Sequence, residues 1–302
     1  MRIRFWGVRG SIASPGKETS IFGGNTSCVE VEDGDGQIFI FDAGTGLRQL
    51  GLDLLRRKIT TYHLLISHSH WDHIQGFPFF SPAYLKGTKI NIYGPAQFDK
   101  SLKKVLNAQM DYSYFPVSMQ QLNAEIEYHE LKEQTLKVGN TEIVTLYANH
   151  PVTGLCYKLI NEGKRVVYTG DTEPYYNLLK RKEDLDKPTA KKSGLLDSEN
   201  IEEMDKIVAE RNECHRNFCV SDILIHDAQF TAEEYPRYMS WGHSSMEHAI
   251  EVAKVGGVKK LILTHHDPGR TDSDLQSIED RLKKTYPECD FIFSREGLEI
   301  SI

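Results

Sequence analysis

The sequence predicts an α/β (α+β) protein in which two mixed β-sheets are flanked by helices. Short apolar or alternating runs, bounded by Gly, Asn or Asp, recur along the 302 residues and indicate strands. Stretches with helical periodicity are fewer. Strands come first as a meander and continue in a mixed second half, which favours two covered sheets over a doubly wound parallel sheet.

The elements follow one another with short connections. The predicted strands are residues 3–8, 27–32, 37–41, 63–66, 89–93, 142–147, 156–160, 165–169, 223–226, 261–264 and 291–293. The predicted helices are residues 98–110, 201–211, 245–255 and 275–285. The second of these helices carries four apolar side chains on one face, namely Ile201, Met204, Ile207 and Val208.

No sequence repeat or low-complexity linker divides the chain, so we expect one domain over residues 1–302. We expect an insertion at about 178–219, a segment that is charge-rich and contains Pro188 and Gly194. It is either a surface excursion without function or a lid over a site. It also carries the best candidate for a basic nucleic-acid-binding patch, although neighbouring acidic residues reduce the net positive charge. The basic residues are Lys180, Arg181, Lys182, Lys187, Lys191 and Lys192.

Composition excludes several classes of protein. Hydrophobic residues make up 39% of the chain, which excludes disorder, and the net charge of −7 disfavours a general nucleic-acid binder. No apolar run approaches the roughly 20 residues of a membrane span. The first seven residues alternate like a strand and lack the features of a signal peptide. We therefore expect a cytoplasmic protein without a membrane partner.

The five cysteines are scattered and odd in number, which is a poor disulfide framework. Cys214, His215 and Cys219 could be half of a zinc knuckle, but no second Cys/His pair follows at zinc-finger spacing. Reduced thiols are the favoured interpretation.

The decisive motif follows the strand predicted at residues 63–66. It holds four candidate metal ligands among six residues: His68, His70, Asp72 and His73. Alternate side chains of an extended chain share a face, so the first two histidines can bind one metal ion, and a turn would direct the last two residues to a second. Imidazole and carboxylate ligands suit zinc, with manganese or iron also possible.

Four ligands are too few to complete two sites, and further candidates occur after later predicted strands. His150 follows the strand at 142–147, Asp171 follows 165–169, and His265 and His266 follow 261–264. Each of these residues alone could be an ordinary loop residue. Their joint placement after successive strands predicts a dinuclear metal site.

These ordered motifs resemble those of metallo-β-lactamase-fold hydrolases over nearly the whole chain, which implies an αββα sandwich. By that resemblance His68, His70 and His150 would bind one metal ion, Asp72, His73 and His265 the other, and Asp171 would bridge them. Flavodiiron oxidoreductases of this fold resemble one another in having Glu where this chain has His70. The resemblance therefore disfavours a redox di-iron centre.

Further segments resemble the branch of that superfamily that contains RNase Z and related phosphodiesterases. They are residues 5–11, 41–46, 226–230, 242–245 and 261–265. The chain lacks the long Gly/Pro-rich basic arm with which RNase Z grips tRNA, and a second histidine, His266, follows His265. The resemblance thus implies phosphodiester chemistry more firmly than tRNA processing.

His243 matches the additional histidine of the phosphodiesterase branch and is surplus to the metal ligands, so we expect it to protonate the leaving group. The alternative is a histidine that caps the helix beginning near Ser245. Two divalent ions, two aspartates and one hydroxide carry about +1, which attracts an anionic ester. Bound water with its pKa lowered towards roughly 7 would supply hydroxide as the nucleophile. Asp72 and His243 are the expected catalytic residues.

Other side chains have weaker assignments. Asp42 and Asp227 could orient metal-binding imidazoles, or be turn residues. The aromatic residues Tyr112, Tyr114 and Phe115 could line a substrate pocket and stack on a nucleobase, although packing is the commoner role of such a cluster.

The sequence therefore predicts a metal-dependent hydrolase that carries two divalent ions, zinc or else manganese, and cleaves a small anionic phosphodiester such as a cyclic nucleotide or cyclic phosphate. An RNase Z-like tRNA 3′-processing endonuclease is the alternative, with RNA as its partner. A lactonase or thioesterase of the same fold, or a non-catalytic metal-binding sensor, are further alternatives. A homodimer is compatible with the sequence.

Overall fold

The computed structural model describes residues 1–180 and 198–302. Two seven-stranded sheets pack face to face, and helices cover the outer surface of each. This arrangement confirms the predicted fold class of two mixed sheets flanked by helices. Each sheet is parallel in one half and antiparallel in the other, so the first strands form part of a mixed sheet rather than a simple meander.

The first sheet has the strand order β14-β1-β2-β3-β4-β5-β6. The neighbours from β14 to β3 are antiparallel, and those from β3 to β6 are parallel. Its strands are β1 (Arg2–Gly7), β2 (Cys28–Glu32), β3 (Ile38–Phe41), β4 (Thr61–Leu65), β5 (Lys89–Pro95), β6 (Glu125–Leu131) and β14 (Glu299–Ser301).

The second sheet has the order β13-β12-β11-β10-β9-β8-β7, with parallel neighbours from β13 to β10 and antiparallel neighbours from β10 to β7. Its strands are β7 (Thr135–Val138), β8 (Thr141–Tyr147), β9 (Leu155–Asn161), β10 (Lys164–Tyr168), β11 (Ile223–Asp227), β12 (Lys260–Thr264) and β13 (Phe291–Phe293).

The α-helices of the described residues lie outside the sheets. They are α1 (Gly46–Arg56), α2 (Trp71–Ile74), α3 (Leu102–Ala108), α4 (Ser198–Phe218), α5 (Tyr235–Tyr238), α6 (Met246–Val255) and α7 (Asp272–Thr285). Short 3₁₀ turns occur at Lys17–Thr19, Phe77–Phe79, Ser81–Tyr84, Met119–Gln121 and Leu178–Lys180.

The apolar side chains form a layer between the sheets and one layer under each set of helices. In the central layer, Phe41 of β3 stacks on Tyr168 of β10 with ring centroids 4.8 Å apart. Burying a side chain such as Phe41 stabilises a fold by about 1.5–3 kcal/mol. This contact joins the two strands whose ends carry Asp42 and Asp171, so the core also fixes the distance between the site residues.

Several elements differ from the sequence prediction, among them the unpredicted strands β6, β7 and β14. Helix α1 was missed because Gly46 and Gly51 interrupt its apolar face, although Leu47, Leu50 and Leu54 are fully buried. Strand β6 was missed because it lies at the edge of the sheet and its outer face is polar. Helix α3 begins at residue 102 rather than 98, because the Ser101 side chain accepts a hydrogen bond from the Lys104 amide and caps it there.

The segment predicted as an insertion is described at residues 178–180 and 198–219. Residues 181–197, with most of the predicted basic patch, lie outside the described residues. Helix α4 is joined to the chain after β10, because the Asn212 side chain hydrogen-bonds both the amide and the carbonyl of Tyr175. The single domain with an insertion stays a prediction. Among the described helices, none combines the length and apolar character that crossing a membrane requires.

Candidate metal and catalytic centre

The predicted ligands converge at one edge of the two sheets. The segment with His68 and His70 follows β4, Asp171 follows β10 and His265 follows β12, while His150 lies just beyond β8. Strands β10 and β12 are parallel to their common neighbour β11, so their carboxyl ends meet at the same edge. The topology thus places in one cluster side chains such as Asp72 and His265, which are 193 residues apart in the sequence.

The first group of side chains consists of His68, His70, His150 and Asp171. The His150 Nε2 and His70 Nδ1 atoms are 3.0 Å apart, and His68 Nε2 lies 3.4 Å from Asp171 Oδ2. His68 and Asp171 are buried, whereas His70 and His150 are partly exposed. This group therefore has an open side.

The second group consists of Asp72, His73, Asp171 and His265, all buried. The Nε2 atoms of His73 and His265 are 3.2 Å apart, and each lies 3.2 Å from Asp72 Oδ2. Asp171 also reaches this group, at 3.1 Å from both imidazoles. Asp171 is thus shared by the two groups.

The spacing of these side chains suits the binding of two metal ions better than direct hydrogen bonds between the side chains. Imidazole nitrogens 3.0–3.2 Å apart have the spacing of ligands around a common ion, since metal–nitrogen bonds of about 2.0 Å at tetrahedral angles place two nitrogens about 3.3 Å apart. His68 Nε2 and Asp171 Oδ1 are buried and have no hydrogen-bond partner among the described residues. A bound ion would satisfy both atoms.

The outer nitrogens of four of the five histidines are held by neighbouring groups. His73 Nδ1 lies 2.7 Å from the Asp42 carboxylate, and His150 Nδ1 lies 2.9 Å from the Gly242 carbonyl. His265 Nδ1 faces the Gln229 side-chain oxygen at 3.1 Å, and His68 Nδ1 faces Ser67 Oγ, also at 3.1 Å. Such contacts orient the ring and direct the other nitrogen towards a metal ion.

Asp42 is the most connected of these supports. Its carboxylate accepts hydrogen bonds from the Ser67 amide, the Ser67 hydroxyl and the Tyr168 hydroxyl, in addition to its contact with His73. Asp42 and His265 both have left-handed backbone conformations, with φ of 60° and 63°. Non-glycine residues avoid this region, and residues held there cluster at functional sites.

Two glycines leave room for the imidazoles. A Cβ atom on Gly242 would lie 2.1 Å from His150 Nδ1, and a Cβ atom on Gly10 would lie 2.4 Å from the His265 ring. The Gly242 backbone has φ of +88°, which other residues rarely adopt. Any larger residue at either position would displace a histidine of the cluster.

The electrostatics of the cluster follow from burial and from mutual contact. Burial lowers the pKa of His68 well below its usual value, and the neighbouring His73 lowers it further. Burial opposes ionisation of Asp72 and Asp171, but the surrounding imidazoles lower the pKa of both carboxyl groups. Both aspartates are therefore ionised at neutral pH and can offer anionic oxygens to cations.

His243 lies beside the cluster and belongs to neither of the two groups above. Its Nδ1 is 3.3 Å from Asp227 Oδ2 and 3.8 Å from Asp171 Oδ2, and its ring stacks on that of His265. Burial lowers its pKa, but the carboxylates of Asp227 and Asp171 outweigh burial and raise it to about 9. Asp227 also accepts the Ser244 amide, so it fixes both this histidine and the loop that carries it.

A cavity of about 790 Å³ lies next to the partly exposed side of the centre. Ser69 and Pro151 line it, and they are chain neighbours of His68, His70 and His150. Its other walls carry aromatic side chains, including Trp71, Phe79, Phe98, Tyr114 and Phe115. Tyr112 lies outside this lining, and its hydroxyl donates to Gln121.

Sequence reasoning gave no role to several groups that support the centre. Gln229 faces His265, the Ser11 amide donates to Asp72 Oδ2 at 2.7 Å, and the Tyr168 hydroxyl donates to Asp42. Gln229 and Ser11 lie within segments that resemble the phosphodiesterase branch, which was the available signal. His266 points away from the cluster, and its Nε2 lies 2.8 Å from the Ser294 carbonyl.

Comparison with known proteins gives the family. Residues 20–187, more than half of the chain, match the family model described as "Anti-Pycsar protein Apyc1". The chain belongs to the Apyc1 family. This Apyc1-family chain is also 24% identical to the Ribonuclease Z of Streptococcus suis, and the match covers 99% of this chain and all of that protein.

Solved structures similar to the Apyc1-family chain have the same fold. The metallo-β-lactamase fold protein YhfI from Bacillus subtilis has a TM-score of 0.66 at 19% identity, over 99% of both chains. A diphosphatase from the PhnP family has a TM-score of 0.64 at 14% identity, over 100% of this chain and 97% of its own. The chain therefore has the metallo-β-lactamase fold.

Proposed function

We propose that the protein is a dinuclear metal phosphodiesterase that hydrolyses a small phosphodiester, a cyclic nucleotide or a cyclic phosphate ester. The observation that carries this proposal is the position of two His/Asp groups, which share Asp171, beside an aromatic-lined cavity of about 790 Å³. Ligand sites for small molecules have volumes of about 300–1,000 Å³. The chemistry and the size of the site thus favour a small substrate.

The proposed ligands are His68, His70, His150 and Asp171 for one ion, and Asp72, His73, His265 and Asp171 for the other. Five imidazoles and two carboxylates suit zinc, with manganese as the alternative. When bound, the two ions would make hydroxide available near neutral pH and would polarise the phosphoryl oxygens. The surrounding residues must then orient the substrate and supply a proton.

His243 is the proposed proton donor to the departing alkoxide. The contact with Asp227 engages its Nδ1, which leaves Nε2 as the nitrogen that can serve the substrate. The carboxylate neighbours favour the protonated imidazole, which is the form that a general acid requires. The helix-capping alternative is not supported, because Ser245 caps α6 with its own side chain.

The cavity offers contacts for a nucleobase. Tyr114 and Phe115 line it together with the exposed Phe98, and each has an aromatic face on which a base can stack. Gln109 also lines the cavity, and its amide nitrogen is buried without a hydrogen-bond partner in the described part of the chain. A donor in that state is suited to an acceptor on the edge of a base.

An RNase Z-like nuclease is the second candidate, and the observation that favours it is the full-length similarity to a protein named Ribonuclease Z. Against it stands the net charge of −7, since RNA binding engages several phosphates through basic residues. The lactonase, thioesterase and sensor alternatives have no specific observation in their favour. Homodimer formation stays a prediction.

A turnover panel tests the proposal. The zinc-loaded and manganese-loaded proteins would be assayed with cyclic mononucleotides, cyclic dinucleotides, bis-para-nitrophenyl phosphate and precursor tRNA at physiological salt. We expect at least one cyclic substrate to be cleaved with a higher kcat/KM than precursor tRNA. A higher kcat/KM for precursor tRNA would favour the second candidate, and no cleavage of any phosphodiester would contradict both.

A further inference from the structure

A second cluster of metal-binding side chains lies apart from the centre described above. It consists of His215, Cys219 and His226, and all three are buried. Their nitrogen and sulfur atoms lie within 4.8 Å of one another. None of these three side chains contributes to either of the His/Asp groups.

Local structure explains how these side chains meet. His215 lies in the last turn of α4 and Cys219 follows four residues later, a spacing that places both on the same side of the helix end. The Cys219 Sγ atom is 3.8 Å from His215 Nε2 and 3.9 Å from Nδ1. Sulfur and nitrogen ligands of one zinc ion are about 3.5 Å apart, given bonds of about 2.3 and 2.0 Å.

His226 has an unsatisfied nitrogen directed into the protein. It lies in β11 and is fully buried. Its Nδ1 donates to the backbone carbonyl of Asp227 at 2.7 Å, so Nε2 carries a lone pair. That Nε2 is buried and has no hydrogen-bond partner in the described part of the chain. A metal-binding histidine typically donates its N–H to a carbonyl from one ring nitrogen and keeps a free lone pair for the metal on the other.

A third imidazole lies close to this cluster. His248 is in α6, and its ring centroid is 6.3 Å from that of His226. The His215 and His226 rings are 5.6 Å apart and nearly perpendicular. Three imidazoles and one thiol would provide four nitrogen and sulfur ligands, the number that a closed tetrahedral zinc site requires.

We propose that His215, Cys219 and His226 bind a structural zinc ion, with His248 as the fourth ligand. The sequence alone did not favour a zinc motif here, because no second Cys/His pair follows at finger-like spacing. The structure supplies the missing ligands from a strand and a helix. Cys214, the other cysteine of the half motif, is exposed and is not part of the cluster.

Zinc binding at this site would release one proton, from the Cys219 thiol to solvent. The imidazoles need release none, because burial lowers the pKa of His226 to about 3 and that of His215 well below its usual value. The ion would link the end of α4 to β11. Asp227, the residue after His226, holds His243, so the site would stabilise the strand that supports the catalytic centre.

Cobalt substitution tests this proposal in the full-length protein. Co²⁺ bound to a thiolate gives a sulfur-to-metal charge-transfer band in the near ultraviolet, and neither His/Asp group contains a cysteine. We expect the unmodified protein to develop this band on addition of Co²⁺ after removal of metal, with Zn²⁺ abolishing it by displacement. Absence of the band at saturating Co²⁺ would overturn the proposal without using any variant.

Matched variants locate the site. Cys219→Ser should lose the band and bind one zinc equivalent fewer than the unmodified protein, whereas Cys214→Ser, on the same helix, should keep both. Cys219→Ser should also retain its kcat towards bis-para-nitrophenyl phosphate, since Cys219 lies outside the catalytic centre. A band that persists in Cys219→Ser, or that is lost in Cys214→Ser, would contradict the assignment.

Discussion

The two halves of the catalytic centre differ in burial and in charge. The half formed by Asp72, His73 and His265 is fully buried, and it has a carboxylate of its own in addition to the shared Asp171. The half formed by His68, His70 and His150 has only the shared carboxylate, and two of its imidazoles are partly exposed next to the cavity. Under the proposed function, the buried half is suited to holding an ion and the open half to admitting a substrate.

The supports of the two halves differ in the same way. His73 and His265 are held by side chains, those of Asp42 and Gln229, that are themselves buried. His150 is held by the backbone carbonyl of Gly242, in the loop that also carries His243. His150 of the open half is therefore coupled to the loop of the proposed proton donor, whereas His73 and His265 of the buried half are coupled to buried side chains.

The largest effect is expected for Asp171→Ala, because Asp171 alone belongs to both halves. The variant should lose affinity for both ions, and its phosphodiesterase activity should fall on the order of 10³-fold or more. Metal content by elemental analysis and turnover of bis-para-nitrophenyl phosphate check this prediction. Asp205→Ala is a control, since Asp205 lies in α4 and pairs with Lys180 at the surface. Loss of a single ion only would show that Asp171 does not bridge the halves.

His243→Ala should lower kcat for a cyclic nucleotide by about 10²–10⁴-fold, the usual contribution of a general acid. It should retain metal, because His243 belongs to neither of the proposed ligand groups. The loss should be smaller for bis-para-nitrophenyl phosphate, whose phenolate leaves without a proton. Equal losses on both substrates, or loss of metal, would make His243 a ligand or a structural residue.

Gln229→Ala tests whether the buried half depends on its supports. Removing the oxygen that faces His265 Nδ1 should weaken metal binding by about 10–100-fold, the usual effect of changing a group that orients a ligand. The loss should concern one ion per chain and leave the other in place. Competition with a chromophoric chelator measures it. Equal weakening of both ions would mean that the two halves are not independently supported.

Tyr114→Ala tests the open half and should have the smallest effect. Losing one stacking face should raise KM for a cyclic nucleotide by about tenfold while kcat stays unchanged, since base stacking contributes about 1–3 kcal/mol. Tyr112→Ala is the matched control, because this nearby tyrosine lies outside the cavity lining. KM for bis-para-nitrophenyl phosphate, which has no base, should change less. A fall in kcat with unchanged KM would contradict a role in binding.

The fold class and the candidate ligands of the centre could be predicted from the sequence because both depend on local patterns. Alternating or continuous runs of apolar residues predict the strands, and His or Asp follows several of them. Parallel strands place the residues that follow them at one edge of the sheet. Helix α1 and strand β6 were missed for the opposite reason. Their local patterns are weak, and they form because Leu47 and Leu50 pack on the first sheet and because β6 pairs in parallel with β5.

The supports of the centre were harder to predict than its proposed ligands. Gln229 and Tyr168 act through contacts across 36 and 126 residues of sequence, and nothing in either residue type indicates such a role. The left-handed backbone at Asp42 and His265 is likewise a result of tertiary packing rather than of local preference. The sequence did not predict a metal site at His215, Cys219 and His226. These side chains and that of His248 are brought together by three separate elements.

Stepwise reconstitution of the centre tests the central claim most directly. The protein used would be the metal-free Cys219→Ser variant, which lacks a ligand of the proposed structural zinc site. It would be titrated with Zn²⁺ while hydrolysis of a cyclic nucleotide is followed. We predict that the first equivalent binds more tightly, in the carboxylate-rich buried half, and gives little turnover, and that activity rises with the second equivalent. Full activity at one equivalent, or activity that persists in excess chelator, would contradict a phosphodiesterase with two ions in unequal halves.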